Sequence, residues 1–193
     1  MKKIFFAAYL ISTTLSVYSQ TDIECVTSEE LKLYNLINEY RKKNKLSKIE
    51  ISKSLNYVAK LHCKDLDENK PDKSPCNAHS WSDKGDWKGC CFTPDFKEAV
   101  CMWSKPAELT NYKGYGYEIA FGSSDVAYSN YAATAETAMN AWKSSPGHNN
   151  VLLSADIWKS YQWGAVGVAV YKGFAVVWFG KEKDVLGEPK MCK

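Results

Sequence analysis

Hydrophobic positions recur along this chain in two rhythms, one helical and one extended. Leu31, Tyr34, Ile37 and Tyr40 fall at helical spacing, with Leu33 and Leu36 broadening the stripe. Thr27-Ser28-Glu29-Glu30 precedes them, a hydroxyl cap with acids at the positive end of the helix dipole. The pattern predicts a helix to about Lys43, closed by Asn44. A second helix is predicted over 53–68, burying Leu55, Val58, Ala59 and Leu66, with Leu61 and His62 near the margin; Pro71 and Pro75 lie beyond its end. A third, over 132–142, stops at Ser144, Ser145, Pro146 and Gly147, which puts His148 on a loop just past a helix end. The rhythm then changes. Residues 163–171 and 174–179 are apolar, β-branched and aromatic, and Lys172-Gly173 separates them, which is a hairpin signal. Both strands are apolar on both faces, so a central pair covered on each side is predicted. Residues 112–121 alternate as a further strand, with Gly114 and Gly116 marking a bend. Residues 76–111 are irregular apart from a short helix over 95–101, and the charged tail 181–193 has Cys192 as its only firm anchor. There is neither an internal repeat nor a linker. The expected architecture is α+β, one domain over 20–193 of helices packed against a mostly antiparallel sheet.

Residues 1–19 are set apart from this domain. Lys2 and Lys3 precede a mostly apolar run from Ile4 to Leu15, and Val17 and Ser19 suit cleavage between Ser19 and Gln20. That is a signal peptide, and with no transmembrane segment predicted after it, the expected location is secreted or extracellular, or periplasmic or cell-surface in a bacterium. Loss of the two lysines leaves 23 basic and 22 acidic residues, a net charge of about +1. With one arginine in the chain and Arg41-Lys42-Lys43 read as a solvated helix end, no nucleic-acid partner is expected.

All seven cysteines, at 25, 63, 76, 90, 91, 101 and 192, follow the leader. In an exported chain they predict a disulfide framework with one cysteine left over. Cys63 with Cys76, Cys101 with Cys90 or Cys91, and Cys25 with Cys192 are the plausible pairings, each worth roughly 2–4 kcal/mol. A cysteine zinc site is disfavoured because no Cys-x-x-Cys pair is present.

The chain has three histidines. His79 lies in the stapled loop, in Asn77-Ala-His79-Ser80-Trp81, and His148 follows Pro146-Gly147. Glu118 is an acid in an otherwise aromatic and apolar strand, where a carboxylate needs a partner. His79, Glu118 and His148 could therefore converge as a metal tripod with an open position. His62, on a helix beside Cys63, is read as structural.

These residues carry a resemblance. His79-Ser80, Gly116-Tyr117-Glu118-Ile119, Gly147-His148, Trp163-Gly164 and Ala165-Val166-Gly167 together resemble, in order and spacing, the CAP superfamily. This is the SCP/TAPS domain of cysteine-rich secretory proteins, antigen 5 and class 1 pathogenesis-related proteins. The resemblance covers essentially the whole chain after the leader. It implies a three-layer α-β-α sandwich with a central cleft, and His79, Glu118 and His148 at the positions that have bound zinc or other divalent ions. The family's further acid falls at Ser145, so it is missing; Glu136, nearly two turns earlier, is not its substitute. Tyr117 and Ile119 also depart from the usual flanks of the glutamate. The Ser145-Pro146-Gly147-His148 form resembles the bacterial, minimal branch.

Family members have been linked to sterol or fatty-acid binding, channel block, defence and proteolysis, so the resemblance leaves several functions open. Binding is favoured over catalysis, because no Ser-His-acid set is evident and no catalytic residue is assigned. The expected function is a secreted, monomeric binding or interaction protein whose cleft can hold Zn2+ or another divalent cation. Its partner would be an extracellular protein or a lipid ligand. A sterol or fatty-acid carrier and a metal-dependent hydrolase are the alternatives.

Overall fold

The computed structural model describes residues 25–125 and 131–193; the leader expected at 1–19 lies outside them. Strand β1 (Cys25–Val26) leads into α1 (Ser28–Lys43) and α2 (Lys53–Asn69). The long loop follows, holding the short helices α3 (Ala99–Trp103) and α4 (Lys105–Leu109). Then come β2 (Gly116–Phe121), α5 (Ala135–Ser144), α6 (Pro146–Leu152), a 3-10 turn (Asp156–Trp158), the hairpin β3 (Ala165–Tyr171) and β4 (Phe174–Gly180), and β5 (Lys190–Met191).

The helix starts follow the local chemistry. Thr27 makes a full capping box with Glu30, its hydroxyl accepting from the Glu30 N–H at 3.2 Å while Glu30 accepts from the Thr27 N–H at 2.8 Å. Ser52 caps α2 through the Leu55 N–H, and Thr134 caps α5.

The sheet has the order β2-β4-β3, antiparallel throughout, with β4 central. Its alternation sorts the two cores. Val166, Val168, Ala175, Val177, Phe179, Ile119 and Tyr117 point to the layer formed by α1, α5 and α6, where Leu33, Ile37, Met139 and Trp142 meet them. Ala165, Ala169, Val176 and Trp178 point the other way, toward Leu55, Val58, Ala59 and Leu66 of α2. Helices therefore flank the sheet on both faces, the three-layer sandwich expected from the sequence. Among the described residues no helix is long and apolar enough to cross a membrane.

Gly167 shows how tightly α2 lies on the sheet. A Cβ there would come within 2.1 Å of the Leu55 backbone, so only glycine admits this contact. Asn56 exploits the closeness by accepting from the Val168 N–H at 3.2 Å.

Four sequence expectations change here. Cys25–Cys192 forms, but Cys76 pairs with Cys91 rather than Cys63. Cys63 points inward from α2, with its thiol toward the Ala169 carbonyl at 3.8 Å, so the loop cannot reach it. Two disulfides are present among the described residues instead of three, and Cys63, Cys90 and Cys101 are thiols. Ser144 to Gly147 do not stop the chain in a loop: Pro146 opens α6 at its first turn, where its missing N–H costs nothing, and His148 lies on that helix. Arg41 is not solvated. It is buried, its Nη1 donating to the Leu152 carbonyl at 2.6 Å and its Nε to the Ser47 carbonyl at 3.1 Å.

The tail is the fourth, because Cys192 is not its only anchor. Beyond the parallel pairing of β1 with β5, the Gly187 carbonyl accepts from the Lys53 N–H at 2.9 Å. Asp184 reaches the start of α2, accepting from Ser52 Oγ and the Ser54 N–H at 2.7 Å each and from Ser54 Oγ at 3.0 Å. Partial burial raises the Asp184 pKa, but these donors outweigh it and hold the carboxyl below its usual range. A depressed folded pKa means the contribution is complete above the ordinary carboxylate pKa and is lost as pH falls through the folded value. Asp184→Ala should therefore lower stability near neutrality by about 1 kcal/mol, the scale of a lost helix cap. Urea denaturation of the two proteins should show that difference shrinking in acid.

Candidate functional site

Helix α2 builds the floor of the site. His62 lies on its buried stripe with Leu55, Ala59 and Leu66, and its ring is fully enclosed. Both ring nitrogens meet acceptors, Nδ1 the Glu118 Oε1 at 2.6 Å and Nε2 the Ser80 carbonyl at 2.9 Å. A ring facing an acceptor at each nitrogen is satisfied as the imidazolium. Burial lowers its pKa, but the charge and hydrogen bond of Glu118 and the Ser80 carbonyl outweigh that, and the net shift is upward. Burial likewise raises the Glu118 pKa, and His62 and then His79 bring it below the ordinary value. The two form a buried ion pair. Trp81 covers it, its indole stacked on the imidazole at 4.3 Å and 7°, an arrangement that favours a cation on an aromatic face.

Glu118 faces α2 because β2 alternates: Tyr117 and Ile119 enter the opposite core and leave Glu118 on the helix side. Its second oxygen, Oε2, accepts from His79 Nδ1 at 3.2 Å. Against a carboxylate Nδ1 is the donor, so the neutral form of the ring keeps its lone pair on Nε2. The loop places His79 with equal care. Its N–H donates to Asn77 Oδ1 at 3.0 Å, and its ring meets the edge of Phe92 at 5.3 Å. Ser80 Oγ accepts from the Phe92 N–H at 2.8 Å, and Trp81 and Cys90 exchange backbone hydrogen bonds of 2.8 and 2.9 Å. One turn past His62, Asp65 accepts from the Ser82 N–H at 2.8 Å. Two side chains of α2 thus grip residues 80–82.

His148 lies half-buried in the first turn of α6. Burial lowers its pKa, His79 lowers it further, and Glu118 opposes both, so the three groups share one electrostatic neighbourhood. Among the described residues its ring has no hydrogen-bond partner. Helix α6 is held at its far end by Arg41 on the Leu152 carbonyl and by Trp163 Nε1 on the Val151 carbonyl at 3.0 Å, and beside His148 by Tyr40 on Asn149 at 3.0 Å.

The structure joins His79 to Glu118 by a hydrogen bond and puts His148 within electrostatic reach of both, while His62, read from the sequence as structural, is the buried partner of Glu118. The available signal was its place on the stripe of Leu55, Ala59 and Leu66. Ser80 is buried with its hydroxyl committed to Phe92, which places it in a structural role beside His79. Glu136 pairs with Lys32 on the exposed surface. Among the described residues no group of three or more His, Cys, Asp and Glu side chains is arranged to hold a metal ion. The donor atoms that remain open are imidazole nitrogens of His79 and His148, a set that suits a borderline transition metal such as zinc. Glu118, with both oxygens engaged, is placed to orient His79.

Glu118→Gln should cost about 3 kcal/mol by leaving His62 buried beside a neutral group. The wild-type advantage should fade in acid as pH falls through the lowered Glu118 pKa. It should fade again in alkali as pH rises through the raised His62 pKa. Chemical denaturation across pH would show this as a difference that peaks between the two.

Comparison with known proteins follows the same lines. Two solved structures share the fold. An outer surface protein from Borrelia burgdorferi is 23% identical with a TM-score of 0.51, over 81% of this chain and 95% of that one. An extracellular protein containing an SCP domain from Bacillus anthracis is 18% identical with a TM-score of 0.53, over 80% of this chain and 40% of that one. No curated protein sequence matches the chain. The sequence profile of the cysteine-rich secretory protein family, CAP, matches residues 34–180, from within α1 to the end of β4. The chain belongs to the CAP family.

Proposed function

We propose that this is an exported binding domain whose cleft takes a divalent cation through the imidazoles of His79 and His148. The observation that carries the reading is the hydrogen bond of 3.2 Å between His79 Nδ1 and Glu118 Oε2, which leaves Nε2 of the neutral ring as a lone-pair donor, with the unpartnered His148 ring within its electrostatic reach. A carboxylate behind a ligating histidine fixes its tautomer and raises its basicity, and His62 fixes that carboxylate in turn. Burial favours neutral His148, the state that binds metal. A bound cation would supply a Lewis-acid centre with positions left for water or a ligand. The residues themselves hold, orient and desolvate that position. Export is supported by the leader at 1–19, by the disulfides, and by the descriptions of the two structural neighbours as outer-surface and extracellular.

Zinc titration by calorimetry of the disulfide-intact protein should give one site, lost in both His79→Ala and His148→Ala. Glu118→Gln should weaken it by about 10–100-fold, the usual effect of losing such an orienting partner. Folded wild-type protein that binds no divalent cation would overturn the proposal.

A further inference from the structure

The long loop carries a second piece of chemistry, away from the histidines. Cys90 and Cys101 are thiols of one cluster, each within electrostatic reach of the other. The Cys101 thiol also points to the carbonyl of Gly89, the residue before Cys90, at 3.8 Å. Both belong to the cluster between α2 and the loop, with Cys90 buried and Cys101 half-exposed. Neither competes for the existing bonds, since Cys76 and Cys91 are joined to each other and Cys63 is sealed against Ala169.

We propose that Cys90 and Cys101 are an oxidisable pair that closes a third disulfide, fastening the Trp81–Cys90 bridge to α3. A low-molecular-weight disulfide such as oxidised glutathione is a sufficient oxidant. The Cys101 thiol, the one open to solvent, gives up its proton and attacks one glutathione sulfur, forming a mixed disulfide and releasing one reduced glutathione. Cys90 then loses its proton and attacks the Cys101 sulfur, releasing the second. Two protein thiols are oxidised and one glutathione disulfide is reduced.

The asymmetry of the pair fits this order. Burial, and then Cys101 itself, push the Cys90 thiol up, so it is a poor first nucleophile; the nearby Lys105 ammonium acts in the opposite direction. Lys105 is fully buried beside the pair, bonded to the Lys88 carbonyl and to Glu108 Oε2, and lies 5.5 Å over the Trp81 ring. Trp81 joins the two centres. Its backbone pairs with Cys90 and its indole stacks on His62, so the cross-link would fix the loop segment that covers the ion pair.

The test is to equilibrate the protein with reduced and oxidised glutathione in excess, quench with acid, alkylate under denaturing conditions without reductant, and map the peptides. The expected result is one alkylated cysteine, Cys63, and a peptide joining Cys90 to Cys101. Cys90→Ser should leave Cys63 and Cys101 alkylated with the Cys76–Cys91 peptide unchanged. Alkylation of all three thiols in wild-type protein, or a peptide joining Cys101 to Cys91, would overturn the proposal.

Discussion

The carboxylate of Glu118 is the constraint on which this molecule turns. A bare carboxylate enclosed between a helix and a sheet would be prohibitively costly, and the chain answers with a histidine on each oxygen. Those histidines come from separate elements, α2 and the long loop, so one side chain of β2 ties three parts of the fold together. The arrangement also divides labour between two residues of the same type. His62, bonded at both nitrogens, has no lone pair to offer and serves as a fixed countercharge. His79, bonded at one, keeps a nitrogen for chemistry.

What the sequence made legible was what is local. The hairpin declared itself because Lys172-Gly173 separates two runs whose alternate residues fill two different cores. The starts of α1 and α2 were legible because Thr27, Glu30 and Ser52 act within a single turn. The candidate site was half legible. His79, Glu118 and His148 were found as chemistry in unusual places, but the pairing of His62 with Glu118 spans 56 positions. No local pattern announces such a contact. Its only trace was a polar residue on a buried stripe.

The misreadings share a cause, which is that a residue's local meaning changes with its tertiary partner. The break at Pro146 does end α5, as read, but the same proline opens α6 and so puts His148 on a helix and not on a loop. Arg41 sits in a cationic run that looks solvated, yet the carbonyl at the end of α6 draws it inside. Cys63 is spaced well for Cys76, but helical phase turns it toward the sheet. In each case the sequence shows a residue's capacity, and packing decides its use.

The Cys25–Cys192 bond has a consequence for the chain as a thread. It joins positions 167 apart and lies where β1 and β5 run side by side, so the intervening polypeptide is a closed ring. A single proteolytic cut in that ring opens it without releasing a piece. The exposed stretches of the long loop, where a protease would most readily cut, lie inside the ring. A nicked molecule therefore keeps its mass and both halves of its core until a reductant arrives, and in an oxidising compartment none does.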